Sequence, residues 1–289
     1  MGSHCSIQLY ATCRAEFDEV SQRVEAEIAR IESRYSRYLE TSFLAAINRS
    51  ARQAETIRVD AETARLIDYA YACHAKSGGL FDITSGRLRR VWDFGREQAI
   101  SDMGRLKAEL RHVGMHRLAW NDPELGFEVP GMELDLGGIV KEYAADQAAA
   151  ICRAGGVSHG LVELGGDIAV IGPHPDGSDW IVGVQHPVDR DALLMNIGVG
   201  SGGVATSGDY ERYIELDGRR YSHLLNPITG WPVHGLVAVT VVAQHCLLAG
   251  SLATIAMLKG AEGAAWLGGC GVGYLCVDVE GQVSGNLLA

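Results

Sequence analysis

Hydrophobic positions recur at helical spacing over residues 17–35, where Val20, Val24, Ile28 and Ile31 are separated by charged residues. This pattern predicts an amphipathic helix. Residues 5–12 alternate instead, as an opening strand would. Asp60 is placed to cap a helix over 61–76, with Glu62 in its first turn and Gly78-Gly79 ending it. A further helix is predicted over 142–154, closed by Gly155-Gly156. Short β-rich runs follow at 160–162, 168–171, 180–185 and 193–199. Residues 236–243 read as a buried strand, 247–258 as an apolar helix, and 274–279 as a last strand before the Glu280-Gly281 turn. No Pro- or Ser-rich linker, internal repeat or low-complexity tract separates these parts, and no regular βαβ alternation is present. The pattern predicts an α+β fold, a single domain over 1–289 with helices packed on a mixed and largely antiparallel sheet.

Between residues 204 and 233 the alternation turns at Asp217-Gly218, a pair suited to the positive φ angles of a tight β-hairpin. A Thr206-Ser207-Gly208 turn is expected to lead in. Ser222-His223 and an Asn226-Pro227…Thr229-Gly230 loop lead out. A hairpin brings its ends together, so Thr206 and Ser207 are expected to share one site with Ser222 and His223.

Composition narrows the classes. A net charge of -11, with no basic block, argues against a general nucleic-acid binder, whose phosphate contacts need clustered Lys and Arg. One local anion site remains compatible with an acidic surface. The cysteines (Cys5, Cys13, Cys73, Cys152, Cys246, Cys270, Cys276) are odd in number and unpatterned, which fits a reducing compartment better than a disulfide framework. No apolar run reaches the roughly 18 residues of a membrane span, and no signal peptide precedes the first strand. A cytoplasmic protein is expected, although a chain cut just after a leader would read the same.

Four more segments carry polar chemistry beside glycine turns. Gly79-Leu80-Phe81-Asp82-Ile83-Thr84-Ser85-Gly86 sets an acid and two hydroxyls by a turn. Leu134-Asp135-Leu136-Gly137-Gly138-Ile139-Val140-Lys141-Glu142-Tyr143 puts a Gly pair at a helix start, where unpaired N–H groups and the helix dipole suit a phosphate. Glu163-Leu164-Gly165-Gly166-Asp167 is a second Gly-Gly loop, and a polar segment runs from Arg37 to Asn48. Taken singly, a Gly pair is more often a turn, Asp82 and Asp135 turn or cap residues, and Tyr38 and Phe81 core aromatics. His112 and His116 have i, i+4 spacing without the Glu of a His-Glu-x-x-His pattern, and read as structural or exposed.

In their order and combined identity these blocks resemble the ApbE family of FAD:protein FMN transferases. That family shares a Met-Gly-Thr-like start, Phe-Asp-Ile-Thr, Asp-Leu-Gly-Gly-Ile-Ala-Lys-Gly-Tyr, Gly-Gly-Asp, and a Thr-Ser-Gly-x-Tyr hairpin ending in Ser-His…Asp-Pro-x-Thr-Gly. The resemblance implies bound FAD as substrate and a magnesium ion. It also implies transfer of FMN, through a phosphodiester, to a Thr or Ser of an acceptor flavoprotein with release of AMP. Family flavin contacts fall on Met1, Tyr38, Leu80, Phe81, Asp82, Asp135, Lys141 and Leu224. Tyr38 could stack on a ring, Asp135 could accept from an adenine amine or ribose hydroxyl, and Lys141 could meet phosphate charge. His223 is expected near the pyrophosphate or as proton acceptor, with Thr206 and Ser207 steadying the phosphates.

Departures concentrate at the metal. The family holds magnesium with an Asp and a Thr of an Ala-Asp-Ala-x-x-Thr segment and a carbonyl of the Gly-Gly block. The matching positions here are Gly250, Thr254 and the Gly138 carbonyl, so the Asp is missing, and Ala253 stands where some members carry a second acid. Magnesium usually has one or two protein carboxylates; a hydroxyl, a carbonyl and the FAD phosphates alone would hold it weakly, and Asp209 or Glu163 could substitute if the fold brings either close. Lys141-Glu142 replaces Lys-Gly, and Asn226 replaces Asp before Pro227. Two rivals to the transferase follow: a flavin-binding homologue with impaired or no transfer, and an FAD pyrophosphatase.

Overall fold

The structure, a computed structural model, describes residues 4–11, 13–92, 103–189, 191–210, 213–216 and 219–288. In chain order the elements are β1 (Cys5–Leu9), α1 (Arg14–Tyr35), α2 (Phe43–Gln53), β2 (Ile57–Arg58), α3 (Ala61–Ser77), α4 (Met103–Leu110), β3 (Leu118–Asn121), β4 (Glu124–Phe127) and α5 (Val140–Ala154). There follow β5 (Gly160–Leu164), β6 (Asp167–Gly172), β7 (Trp180–Gln185), β8 (Leu193–Val199), β9 (Gly202–Gly208), β10 (Tyr213–Leu216) and β11 (Arg219–Ser222). The chain closes with β12 (Leu236–Ala243), α6 (Cys246–Lys259), α7 (Gly263–Gly268), β13 (Gly273–Asp278) and β14 (Val283–Gly285).

The α+β expectation holds, and every pairing among the described strands is antiparallel. The main sheet has the order β1-β5-β6-β9-β12-β13-β14. Strand alternation gives it two apolar faces. On one, α5 lies over β5 and β6 while α6 lies over β9 and β12. Ala249, Leu252, Ala253, Ala256 and Met257 of α6 pack on Ala205, Val239 and Val241, which is why this helix is apolar nearly all round. On the other face the β7–β8 hairpin covers Leu161, Val170, Val204 and Leu275 with Val184, Ile197 and Val199. Helix α1 lays its predicted stripe, with Val20, Val24 and Ile31 buried, on the layer formed by α5.

Capping follows the local chemistry. Asp60 Oδ1 accepts from Thr63 N at 2.9 Å, and Gly78 ends α3 in the left-handed region at φ 71°. Helix α2 was not predicted. The polar residues of 37–48 mask a helix whose Ser42 cap accepts from Ala45 N at 3.0 Å and whose Leu44, Ile47 and Ala51 are buried. The hairpin region needs a correction. Thr206-Ser207-Gly208 is not a turn but the end of β9, paired residue by residue with Ala238, Val239 and Thr240 of β12. The hairpin proper is β10–β11, whose Leu216↔Arg219 register leaves only 217 and 218 between the strands. That Asp-Gly pair itself lies outside the described residues. His112 and His116 do not share a helix face, because α4 ends at Leu110 and His116 sits in a separate 3-10 turn, Met115–Arg117.

Candidate functional site

Helices α5 and α6 run past one another with a polar seam between them. Glu142 and Asp146 are one turn apart on α5 and face Gly250 and Cys246, one turn apart on α6. At the outer end, Asp146 accepts from Cys246 N and Leu247 N, both at 2.9 Å, and so closes the start of α6 from a neighbouring helix. Burial leads in raising the Asp146 carboxyl above its ordinary range, against those two hydrogen bonds. At the inner end Glu142 leans on Gly250. A β-carbon at position 250 would lie 2.5 Å from Glu142 Cγ, 2.9 Å from Oε1 and 3.0 Å from Cδ.

Around this contact the separated sequence blocks meet. Lys141 Nζ lies 2.7 Å from Asp167 Oδ2, and Asp167 Oδ1 accepts from Thr206 N at 3.3 Å. Ser207 and Thr254, which stands one turn beyond Gly250, share a hydrogen bond at 3.1 Å. Glu142 is 6% exposed and Asp167 2%, so both carboxylates sit largely out of water. Burial, and then the charge of Asp167, push the Glu142 carboxyl well above the ordinary carboxylate range, with Lys141 opposing. Glu142 Oε2 has no hydrogen-bond partner among the described residues.

Alternation along β9 separates the two expected hydroxyls. Ser207 shares the α6 face with Ala205, whereas Thr206 points to the other face and pairs with Thr240, directly opposite on β12, at 2.9 Å. Thr206 therefore meets this cluster through its backbone N–H and not through its hydroxyl. Glu163 is likewise turned away: it accepts from Gly166 N at 2.9 Å and from Ser6 Oγ at 3.0 Å. It is not the substitute for the missing Asp. Asp209 follows β9 and donates its N–H to Val237 O.

A second polar group lies just ahead of α5. Asp135 Oδ2 is shared by Arg37, at 2.7 Å, and Arg89, while Oδ1 accepts from Gly137 N at 2.9 Å. Burial opposes the Asp135 charge, but Arg89 and Arg37 outweigh it and hold the carboxyl below its usual range. Arg37 also donates to Tyr38 Oη at 2.6 Å and lies 4.8 Å from the centre of its ring. Tyr38 is 73% exposed, so it is not a core aromatic. Asn48 fixes this loop by donating to Leu134 O at 3.0 Å and accepting from Leu134 N at 2.7 Å. Gly138 bridges the two polar groups along the chain and rests on Phe81, whose ring a β-carbon would meet at 3.4 Å.

The remaining expected residues are placed as follows. Phe81 is buried in the main core and Leu80 packs against it. Both oxygens of Asp82 serve their own surroundings: Oδ1 accepts from Thr84 N and Oγ1 at 2.7 and 2.5 Å, and Oδ2 from Met115 N at 3.0 Å. Leu224 packs against the α6 cluster. His223 is half-buried at the exit of β11, beside Ser222, whose Oγ accepts from Leu224 N at 2.9 Å. Asn226 Oδ1 accepts from Ile228 N and Thr229 N at 2.9 and 3.2 Å, the turn role an Asp would fill. Met1 lies outside the described residues. Cys73, Cys152, Cys246 and Cys276 are buried, and burial raises each thiol, that of Cys276 to about 12, which disfavours the thiolate a nucleophile needs.

Asp167 and Glu142 were not among the expected site residues, although both stood inside quoted blocks. Their sequence signal was an acid shortly after each Gly-Gly pair, Asp167 directly after Gly165-Gly166 and Glu142 four residues after Gly138. Among the described residues no group of three or more His, Cys, Asp or Glu is gathered to hold a metal. The oxygens available are instead the Glu142 carboxylate at the α5–α6 seam and, one turn beyond Gly250 on α6, the Thr254 hydroxyl paired with Ser207 of β9, a donor set that fits magnesium when phosphates complete it.

In architecture the chain is an ApbE-type α+β protein. It superposes on the crystal structure of an ApbE protein from Thermotoga maritima with a TM-score of 0.89 and 30% identity, covering 98% of this chain and 94% of that one. Flavin transferase ApbE from Vibrio cholerae gives a TM-score of 0.87 at 27% identity, covering 99% of this chain and 93% of that one. The ApbE family model matches residues 1–272, and the chain belongs to that family. Among its relatives is an FAD:protein FMN transferase of Vibrio cholerae, 32% identical over 251 residues, which cover 84% of this chain and 75% of the relative. An Escherichia coli protein of the same description is 31% identical, over 84% of this chain and 72% of its own length.

Proposed function

We propose that this chain is an FAD:protein FMN transferase, working as one domain over residues 1–289. The observation that carries the reading is the meeting of four sequence-distant blocks: Lys141 on Asp167, Asp167 on Thr206, and Ser207 on Thr254. Tyr38, exposed beside Arg37 and Asp135, supports a ring-binding end, and the Gly137-Gly138 helix start a phosphate-binding end. In the reaction a Thr or Ser hydroxyl of the acceptor flavoprotein attacks the FMN-side phosphorus of FAD. The bond to the AMP oxygen breaks, and the hydroxyl proton passes to His223 or a nearby carboxylate. Lys141, held by Asp167, presents its charge to the phosphates, and Ser207 orients them by hydrogen bonding. Thr254 and the Gly138 carbonyl would hold magnesium, which when bound neutralises charge developing on the phosphate oxygens. No described helix is long and apolar enough to cross a membrane. The unpatterned cysteines support a reducing, cytoplasmic setting.

The test is incubation with FAD, magnesium and a candidate acceptor, read by mass spectrometry. An FMN-bearing acceptor and stoichiometric AMP are expected. FMN and AMP formed equally well without acceptor would instead make the protein an FAD pyrophosphatase, and FAD retained uncleaved would make it a flavin-binding homologue.

A further inference from the structure

We propose that Glu142 supplies the cation-binding carboxylate that position 250 lacks, so that the carboxylate reaches the metal from α5 instead of α6. The inference rests on the metal-assisted reading of the site. Space is the first argument. With a β-carbon at 250 only 2.5 Å from Glu142 Cγ, a Glu at 142 and any side chain at 250 compete for one volume. The absent side chain and the added one are two halves of a single exchange.

Satisfaction of polar atoms is the second argument. Glu142 is 6% exposed, and its Oε2 has no hydrogen-bond partner among the described residues. Leaving a carboxylate oxygen buried and unmatched is costly, and the nearest cation, Lys141, is committed to Asp167 at 2.7 Å. Asp167 is thereby matched, whereas Glu142 has the Asp167 carboxyl as its hydrogen-bonding neighbour, a contact two carboxyls make only while one is protonated, and its Oε2 has no partner among the described residues. A divalent cation beside Glu142 would satisfy it. The third argument is the neighbouring donor: Thr254 stands one turn beyond Gly250 on α6, its hydroxyl at 3.1 Å from that of Ser207. One carboxylate, a neutral hydroxyl and the phosphates of FAD are the hard-oxygen set magnesium uses.

The experiment counts bound Mn2+ by loss of the free-ion EPR signal, with and without FAD, in the whole 289-residue chain. The parent is expected to bind, and Glu142→Gln, which keeps the side chain's shape, to bind at least ~10-fold more weakly. The double variant Glu142→Gly/Gly250→Asp, which moves the carboxylate back to α6, is expected to regain binding. Thermal melts check that each variant is folded, and Glu142→Gln carries the test if the double variant is not. A parent that binds no Mn2+ with or without FAD, or a Glu142→Gln protein that binds it like the parent, overturns the inference. FMN transfer measured in parallel separates the two claims. Transfer with Mn2+ binding indifferent to Glu142 sinks this inference alone, and Glu142-dependent binding with no acceptor ever modified sinks the transferase reading alone.

Discussion

A single β-carbon is the smallest group that can be added to Gly250, and it already meets Glu142 at 2.5 Å. Gly250→Ala is therefore expected to destabilise the protein by about 1–3 kcal/mol, the range for overpacking a tight interior. In a Glu142→Gly background the same substitution should be nearly neutral, so a double-mutant cycle by denaturant unfolding should show coupling between 142 and 250. Additive effects would mean that the two residues do not share that space. Lys141 is the second sensitive position. Lys141→Met leaves Asp167 buried without its counter-charge, a loss of ~3–5 kcal/mol for a fully buried pair. Because a third of the Lys141 side chain is exposed, a smaller loss is expected by the same measurement. Lys141 was readable from its motif. Asp167 was not recognised as its partner, because a charge's partner is set by which strand the sheet places beside the helix.

Two helix starts test the element scale. Asp60 caps its own helix, α3, from the preceding residue, whereas Asp146 closes α6 from across the α5–α6 seam. Each Asp→Ala change should cost about 1 kcal/mol of stability. Only Asp146→Ala should also weaken Mn2+ or FAD binding, because α6 carries Gly250 and Thr254. Equal binding losses from both variants would show a general loosening of the fold. Asp60 could be found by reading along the chain, since a cap acts within four residues. Asp146 could not, because its partners are 100 and 101 residues away. Strand β9 teaches the same lesson. Thr206 and Ser207 are neighbours in a motif, yet pairing with β12 turns their side chains to opposite faces.

For the molecule as a whole, acid stability should follow the paired carboxylates. The Glu62 carboxyl is held below its ordinary range by Arg30's hydrogen bond above all. Burial works against the charge of Asp60 and of Asp135, but the Thr63 and Arg34 contacts in the first case, and Arg89 and Arg37 in the second, prevail. A depressed folded-state value means stability that is present above the unfolded value, about 4 for a carboxyl, and lost as pH falls through the folded one. The contribution of these three carboxyls to the melting temperature should therefore be full from neutral pH down to about 5 and be lost below that, while the Glu142 carboxyl, raised by burial, acts with the opposite sign and adds stability as pH falls from neutral. Replacing both Arg37 and Arg89 with Met should flatten the acid limb, because Asp135 then titrates nearer its unfolded value. An unchanged acid limb would show that Asp135 contributes nothing to it.

Local periodicity determined the helices over 17–35, 61–76 and 142–154, the strands at 180–185, 193–199 and 236–243, and the α+β class, since each depends on residues a few positions apart. The order of short motifs was likewise enough to recognise the family. Helix α2, whose buried face is Leu44, Ile47 and Ala51, is short and begins inside the polar 37–48 segment, so its periodicity spans too few turns to stand out. The tertiary structure alone decided that Glu142 and Gly250 occupy one volume, that Asp167 matches Lys141, and that Glu163 faces away. Those facts depend on how α5 and α6 lie on the sheet, over sequence separations that no local pattern spans. The carboxylate missing from position 250 is thus apparent in the sequence, and the one standing beside it only in the fold.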